Sequence, residues 1–409
     1  MAWVRYILNK DVKTLNIDNQ KFTFPKNKWV DVKYAYVERK AYEFPDVFEV
    51  ADFDISMIEG IDNIRCHGKM IHTSDVNAIE KLNSRRWFKL KYQDNIRSIF
   101  YVCMTDDRYN LLSLLENSKP GTVGVYRVKG GWGDIVMAYS VARSVAAKYP
   151  KLKIIFSSPT NFRDLVDADK NIEWQEFRKF INAGYDAYID LTSPCIRHER
   201  TFQPNVKFNR PEIFAQECML QPADVKPYAP IKPDALAWAK DKLSKLPRPW
   251  FGFVPESCAP IRNWWGWDKV TDYCTDKYSS TNLIFNASDI SLARLNNNTP
   301  IIGKSMSRVV ALLSICDAVF GVDTGPMHSA SANSVPTIWV FTHIDGAIRT
   351  KGYKNATVVQ NKESCPRCPC WYESPCSDGR QSPCGEAVEI KHVTDEIDKI
   401  WKPTALTQI

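Results

Sequence analysis

The sequence predicts an α/β chain of two Rossmann-like lobes with a small N-terminal accessory domain of β-strands, and three observations carry that prediction. Residues 123–150 (VGVYRVKGGWGDIVMAYSVARSVAAKYP) read as a buried strand that enters a glycine turn and delivers Asp134 to the start of a helix. Residues 315–341 (ICDAVFGVDTGPMHSASANSVPTIWVF) repeat that plan, with Asp323 ahead of a second glycine turn and helix. Around both, short apolar runs alternate with helical stretches, which implies right-handed parallel βαβ units. Two such turns in two halves of one chain suggest lobes that face each other across a cleft.

The elements follow in order. In residues 1–118, the expected accessory domain, Val30, Val32, Tyr34 and Tyr36 share one face at period two, as do Phe88, Leu90 and Tyr92, so residues 28–37 and 86–92 read as half-buried strands. Residues 97–104 are a third strand candidate, and residues 108–116 a short helix closed by Ser118, Pro120 and Gly121. From Thr122 the texture becomes α/β: strands at 123–128, 153–157 and 187–191, with a helix over 135–148, make a first lobe of residues 119–233. Prolines at 222, 227, 230, 233, 247 and 249 mark the join to a second lobe, residues 234–387, which opens with a helix over 234–246. Its strands are expected at 250–254, 282–285, 318–322 and 337–341, and residues 388–409 add a terminal helix over 388–401.

Composition bounds the function. A chain of 409 residues, 44% hydrophobic and 25% charged, is long enough for two or three cores and reads as globular. A net charge of +7 is mild for this length and does not by itself argue for nucleic acid. No apolar run approaches the roughly 20 residues of a membrane span, and Arg5 interrupts the apolar start, so a cytoplasmic protein without a secretory signal is expected. In that compartment twelve cysteines are thiols or metal ligands rather than disulfides.

Each motif offers chemistry beside a plainer alternative. Asp134 can act as a base at the mouth of a lobe, where loops beyond parallel strands build sites, or can cap the helix that begins at Ile135. Thr324 and Gly325 can present amide N–H groups to a phosphate, or Asp323 and Thr324 can be caps and His328 a satisfied structural histidine. Trp132 can stack on a sugar or base, or be a packed loop aromatic. The C-x-x-C spacing of Cys365 and Cys368, with Cys376 and Cys384, suits tetrahedral structural zinc, with free thiols or redox pairs as the rivals. The clusters Arg85-Arg86 and Arg197-His198-Glu199-Arg200 are either solvated surface or contacts for a polyanionic partner.

Three motifs in order resemble those of the heptosyltransferase family, glycosyltransferase family nine, which has the two-lobed glycosyltransferase-B fold. They are Gly133-Asp134 between strand and helix, Arg262-Asn263-Trp264, and Asp323-Thr324-Gly325-Pro326-Met327-His328 followed by Ser329-Ala330. The resemblance implies an inverting, metal-independent transfer without a catalytic cofactor. A nucleotide-diphosphate sugar, with an ADP-linked heptose the first to try, would bind the second lobe, and Asp134 would be general base for an acceptor hydroxyl. On the donor side it implies Arg262, Asp323, Thr324, Gly325 and His328. Lys304 joins them by position as a second diphosphate cation, and Asp289 falls near where the family places an acid on the nucleotide ribose. On the acceptor side it implies Lys129 and Gly133, beside Trp132. The expected acceptor is a glycolipid, a nucleic acid or a protein. A non-catalytic nucleotide-sugar-binding protein is the alternative from another class.

Overall fold

The structure, a computed structural model, describes residues 119–401 apart from 168, 170, 182, 193, 286–297 and 373, and before residue 119 nine strands together with residues 111, 114 and 115. The strands are β1 (Ala2–Tyr6), β2 (Val12–Ile17), β3 (Gln20–Pro25), β4 (Trp29–Val32), β5 (Phe48–Ala51), β6 (Arg65–His67), β7 (Met70–Thr73), β8 (Phe88–Gln93) and β9 (Ser98–Val102). They form antiparallel groups in the orders β4-β1-β5, β2-β3 and β6-β7-β9-β8. Three of them coincide with the strands expected at 28–37, 86–92 and 97–104. Residues 33–37, and the 108–116 helix apart from residues 111, 114 and 115, lie outside the described residues.

The chain divides into two compact units: Met1–Tyr126 with Lys151–Lys153 and Phe177–Arg197, and Arg127–Pro150 with Ile154–Glu176 and His198–Ile409. In the first unit, β10 (Gly121–Tyr126) pairs in parallel with β13 (Ala187–Asp190), Val123 beside Ala187. In the second, the Ile154–Ser157 part of β11 (Leu152–Ser157) places Ile155 in parallel beside Glu173 of β12 (Glu173–Trp174).

The second unit also carries a six-stranded, all-parallel sheet. Its strands are β14 (Trp250–Val254), β15 (Thr281–Phe285), β16 (Asn298–Ile301), β17 (Ala318–Val322), β18 (Thr337–Val340) and β19 (Ala356–Val359), in the order β16-β15-β14-β17-β18-β19. The inner strands WFGFV and AVFGV are continuous apolar runs because helices cover both faces of a parallel sheet. Phe251, Phe253, Phe320 and Val340 are buried with Trp264, Trp267 and Ile397 in one core cluster. Trp264 is pinned there by its indole N–H, which donates to Val388 O at 3.0 Å.

Strands 250–254 and 318–322 fall where the sequence placed them. The two that were not expected, β16 and β19, are the short outer strands of the sheet, where fewer apolar residues are required. The helices that build the site are α1 (Trp132–Lys148), α2 (Pro194–Phe202), α3 (Arg210–Glu217), α4 (Gly325–Ala332) and α5 (Gly346–Thr350), with α6 (Ile390–Ile400) closing the chain.

Candidate active site

The strand order of the large sheet reverses at β14 and β17, so the loops leaving their carboxyl ends diverge and leave a crevice between them. The loop after β14 carries Glu256, Ser257, Cys258 and Arg262 to that crevice, and the turn after β17 carries Asp323, Thr324, Gly325, Pro326 and His328. The head of α1 supplies Gly131, Trp132, Gly133, Asp134 and Met137; Arg210 and Arg349 complete the lining of a cavity of about 470 Å³. Both turns singled out by the sequence therefore open into one cavity.

Glycines let the two helix heads touch. A Cβ on Gly325 would lie 2.4 Å from Trp132 Cβ, and a Cβ on Gly133 would lie 2.5 Å from His328 Cδ2, distances no real side chain tolerates. Trp132 donates its indole N–H to Ser329 Oγ on α4 at 2.8 Å, so it packs between the turns while also lining the cavity. Gly130 has φ +115°, and a Cβ there would meet the Asp134 carboxylate at 2.6 Å.

Helix α1 begins at Trp132, three residues before the expected Ile135, so Asp134 stands in its first turn. One oxygen of Asp134, Oδ2, accepts the Gly131 N–H at 3.0 Å, which is the capping role. The other, Oδ1, meets Arg210 Nη1 and lies 3.2 Å from Arg127 Nη2. Burial would push this carboxyl up, but Arg210, then Arg127, with the Gly131 N–H, hold it well below the usual carboxylate range.

Arg210 in turn grips Glu199 bidentately, Nε to Oε1 and Nη2 to Oε2 at 2.8 Å each. Glu199 is 1% exposed and also receives Arg349 Nη1 at 3.4 Å and the hydroxyl of Tyr372. Burial raises its carboxyl, yet Arg210 and Arg349 outweigh that and bring it to about 2. Asp323 is buried too. Its backbone O accepts from Arg262 Nη1 at 3.1 Å, its Oδ2 lies 3.5 Å from the same Nη1 and 3.8 Å from Arg349 Nε, and its Oδ1 lies 3.4 Å from His328 Nε2. Against burial, Arg262 and then Arg349 hold that carboxyl far below its ordinary range. His328 Nδ1 is 3.0 Å from Tyr353 Oη, and burial pushes the imidazole down, toward its neutral form.

The result is a chain of alternating charge, Arg127–Asp134–Arg210–Glu199–Arg349–Asp323–Arg262, with four guanidiniums against three carboxylates. Its hydrogen bonding is incomplete: Arg262 Nε, Arg349 Nε and Asp323 Oδ2 are among the buried atoms without a hydrogen bond. Buried donors left open beside a cavity fit an anionic ligand.

The sequence-predicted residues are thus distributed unevenly. Asp134, Gly133, Trp132, Arg262, Asp323, Thr324, Gly325 and His328 all line the cavity. Lys304, exposed on the loop after β16, and Lys129, half-buried, do not, and Asp289 lies outside the described residues. Sequence reasoning missed Arg127, Arg210 and Arg349 as site residues and treated Glu199 only as part of a basic surface cluster. Arg127 carried a signal: a lone arginine inside an apolar run, here 1% exposed over the Phe214 ring, needs a buried anion. Arg349 carried none.

Of the cysteines, Cys384 interacts with Cys368 and Cys365, and the Cys368 thiol is pulled down by its hydrogen bond with Cys384. Among the described residues, however, no group of three or more His, Cys, Asp or Glu is arranged to hold a metal ion. Nor is any described helix long and apolar enough to cross a membrane.

A parallel sheet with a charged crevice at its switch point is the arrangement in which α/β proteins bind ligands beyond the carboxyl ends of their strands. Residues 182–372 match the sequence model of glycosyltransferase family 9 (heptosyltransferase), and the chain is a glycosyltransferase whose heptosyltransferase resemblance is borne out. The fold is similar to that of the ADP-heptose lipopolysaccharide heptosyltransferase II of E. coli, with 15% identity and TM-score 0.52 over 68% of this chain and 98% of that one. It is likewise similar to the iron-containing dodecameric glycosyltransferase TibC of enterotoxigenic E. coli H10407, with 12% identity and TM-score 0.52 over 69% of this chain and 76% of that one. A structure of TibC with ADP-D-β-D-heptose matches at 14% identity and TM-score 0.52, over the same shares of the two chains. None of the curated proteins is similar enough in sequence to match.

Proposed function

We propose that this chain is an inverting glycosyltransferase that uses a nucleotide-diphosphate sugar, in which Asp134 is the general base. The observation that carries the reading is the single cavity in which the Asp134 carboxylate, the head of α4 and the open donors of Arg262 and Arg349 converge. In the reaction, the acceptor oxygen attacks the anomeric carbon while Asp134 takes its proton. The bond from that carbon to the donor phosphate breaks, and the diphosphate leaves with the electron pair. Arg262, Arg349 and the amide groups at Thr324 and Gly325 face the charge that develops on it, which is where fixed dipoles and guanidiniums lower a barrier. Attack opposite the leaving group inverts the centre. Because its neighbours keep Asp134 ionised, the base form is present throughout the physiological pH range.

In this reading residues 119–233 provide the acceptor side and residues 234–387 the donor side, in a cytoplasmic protein. TibC has been seen with ADP-D-β-D-heptose, which makes ADP-heptose the first donor to assay. Structural zinc on Cys365, Cys368, Cys376 and Cys384 is a separate expectation, met if purified protein holds stoichiometric metal that the four serine substitutions remove.

The test of the central claim is turnover of nucleotide sugars by Asp134→Asn. Transfer should fall by about 10²- to 10⁴-fold while nucleotide binding stays near that of the parent protein. Undiminished transfer in that variant rejects the base assignment.

A further inference from the structure

We infer that Glu199 is a positioning residue that aims two cavity arginines in opposite directions, Arg210 at Asp134 and Arg349 toward the donor phosphates, and that it limits the grip of Arg210 on Asp134. The inference rests on the reading of Asp134 as base and of the crevice as a diphosphate site. It begins from an imbalance: a carboxylate held by two guanidiniums is a poor proton acceptor, so something must temper the pull of Arg210.

Glu199 is placed to do so. It lies on α2, does not line the cavity and has no access to substrate, but both of its oxygens accept from Arg210. Nε and Nη2 of Arg210 thereby hold Glu199, while Nη1 reaches Asp134. The same carboxylate faces Arg349 Nη1, which leaves Arg349 Nε near Asp323 without a hydrogen bond. Tyr372 closes the arrangement from outside: its hydroxyl donates to Glu199 Oε2, and Arg210 Nη2 donates to it at 3.1 Å. Tyr372 itself is held by its backbone N–H, which donates to Gln203 Oε1 at 3.3 Å.

Neutralising Glu199 should act in opposite senses on the two halves of the site. Arg210 and Arg349 lose a shared counter-charge, so an anion in the cavity binds more tightly, whereas Asp134 comes under the full charge of Arg210 and becomes a weaker base. A merely structural role predicts that binding and turnover decline together.

The experiment measures ADP affinity by calorimetry and kcat on a sugar nucleotide, with thermal melts to verify folding. Glu199→Gln should bind ADP at least about threefold more tightly and lose about tenfold or more in kcat. Glu199→Asp keeps the charge but cannot span both arginines, so it should bind ADP like the parent and still lose kcat. If Glu199→Gln does not fold, the Glu199→Asp comparison decides alone. Weaker or unchanged ADP binding in a folded Glu199→Gln, or an undiminished kcat in either folded variant, overturns the inference. Failure of the parent protein to bind ADP or inorganic pyrophosphate overturns the donor reading and this inference with it. Full turnover in Asp134→Asn rejects the base reading and with it the role given to Glu199 toward Asp134, while tighter ADP binding by Glu199→Gln would still stand for its role toward Arg349.

Discussion

The turns that carry Asp134 and Asp323 share a plan, a carboxylate beside a glycine at a helix head, yet the structure uses them differently. The Asp134 side chain keeps 13% of its surface exposed and stands over the cavity; that of Asp323 keeps 4% and has its oxygens turned to Arg262, Arg349 and His328. On the proposed reading Asp134 serves the substrate, whereas Asp323 organises the arginines around the same cavity. The difference teaches that one local motif can serve chemistry or scaffolding, and that burial decides which.

The comparison breaks most readily at Asp323. Asp323→Asn leaves Arg262 without its buried anion and Arg349 with Glu199 alone, and should cost about 3–5 kcal/mol of stability, read as a lowered melting temperature. Asp134→Asn should cost clearly less stability while doing the greater harm to turnover; equal melting temperatures for the two variants would erase the distinction.

Acid sharpens it next. His343, close to Arg262 on the Asp323 side, is pushed down by burial from 6.5 to about 4. The unfolded histidine therefore takes up a proton that the folded one refuses. Stability is full above pH 6.5 and falls as pH drops from 6.5 toward 4, by roughly 3 kcal/mol below that window. His343→Asn should flatten that part of the stability curve in a denaturant titration across pH 4 to 7.

Glycine tests the contact between the turns. Gly133→Ala puts a methyl against a histidine that is buried and engaged at both ring nitrogens, so it cannot step aside cheaply. The expected loss is about 1–3 kcal/mol, measured by chemical denaturation. Smallest is Trp132→Phe, which deletes the bond to Ser329 and should cost about 0.5–1.5 kcal/mol, with ADP affinity nearly unchanged if packing is its main service. A large loss of affinity would instead favour the stacking role.

Much of the large sheet was legible because its signals are local. A buried parallel strand must be an apolar run, so WFGFV and AVFGV announced themselves, and the turns after strands needed small residues that stand out in any reading. The same logic found eight residues of the cavity lining, all within these turns or in the Arg262-Asn263-Trp264 segment. Lys304, expected on the donor side by position alone, is exposed on the loop after β16 and is not part of the cavity lining.

By itself, then, the sequence determined where strands end and which carboxylates stand at helix heads, since backbone geometry and burial act over a few neighbouring residues. Only the tertiary structure decided what those carboxylates face. Asp134 meets Arg210 across 76 positions of chain, and Glu199 meets Arg349 across 150. An arginine needs no fixed spacing from its partner: its long side chain carries the charge away from the backbone, and only folding brings the counter-ion to it.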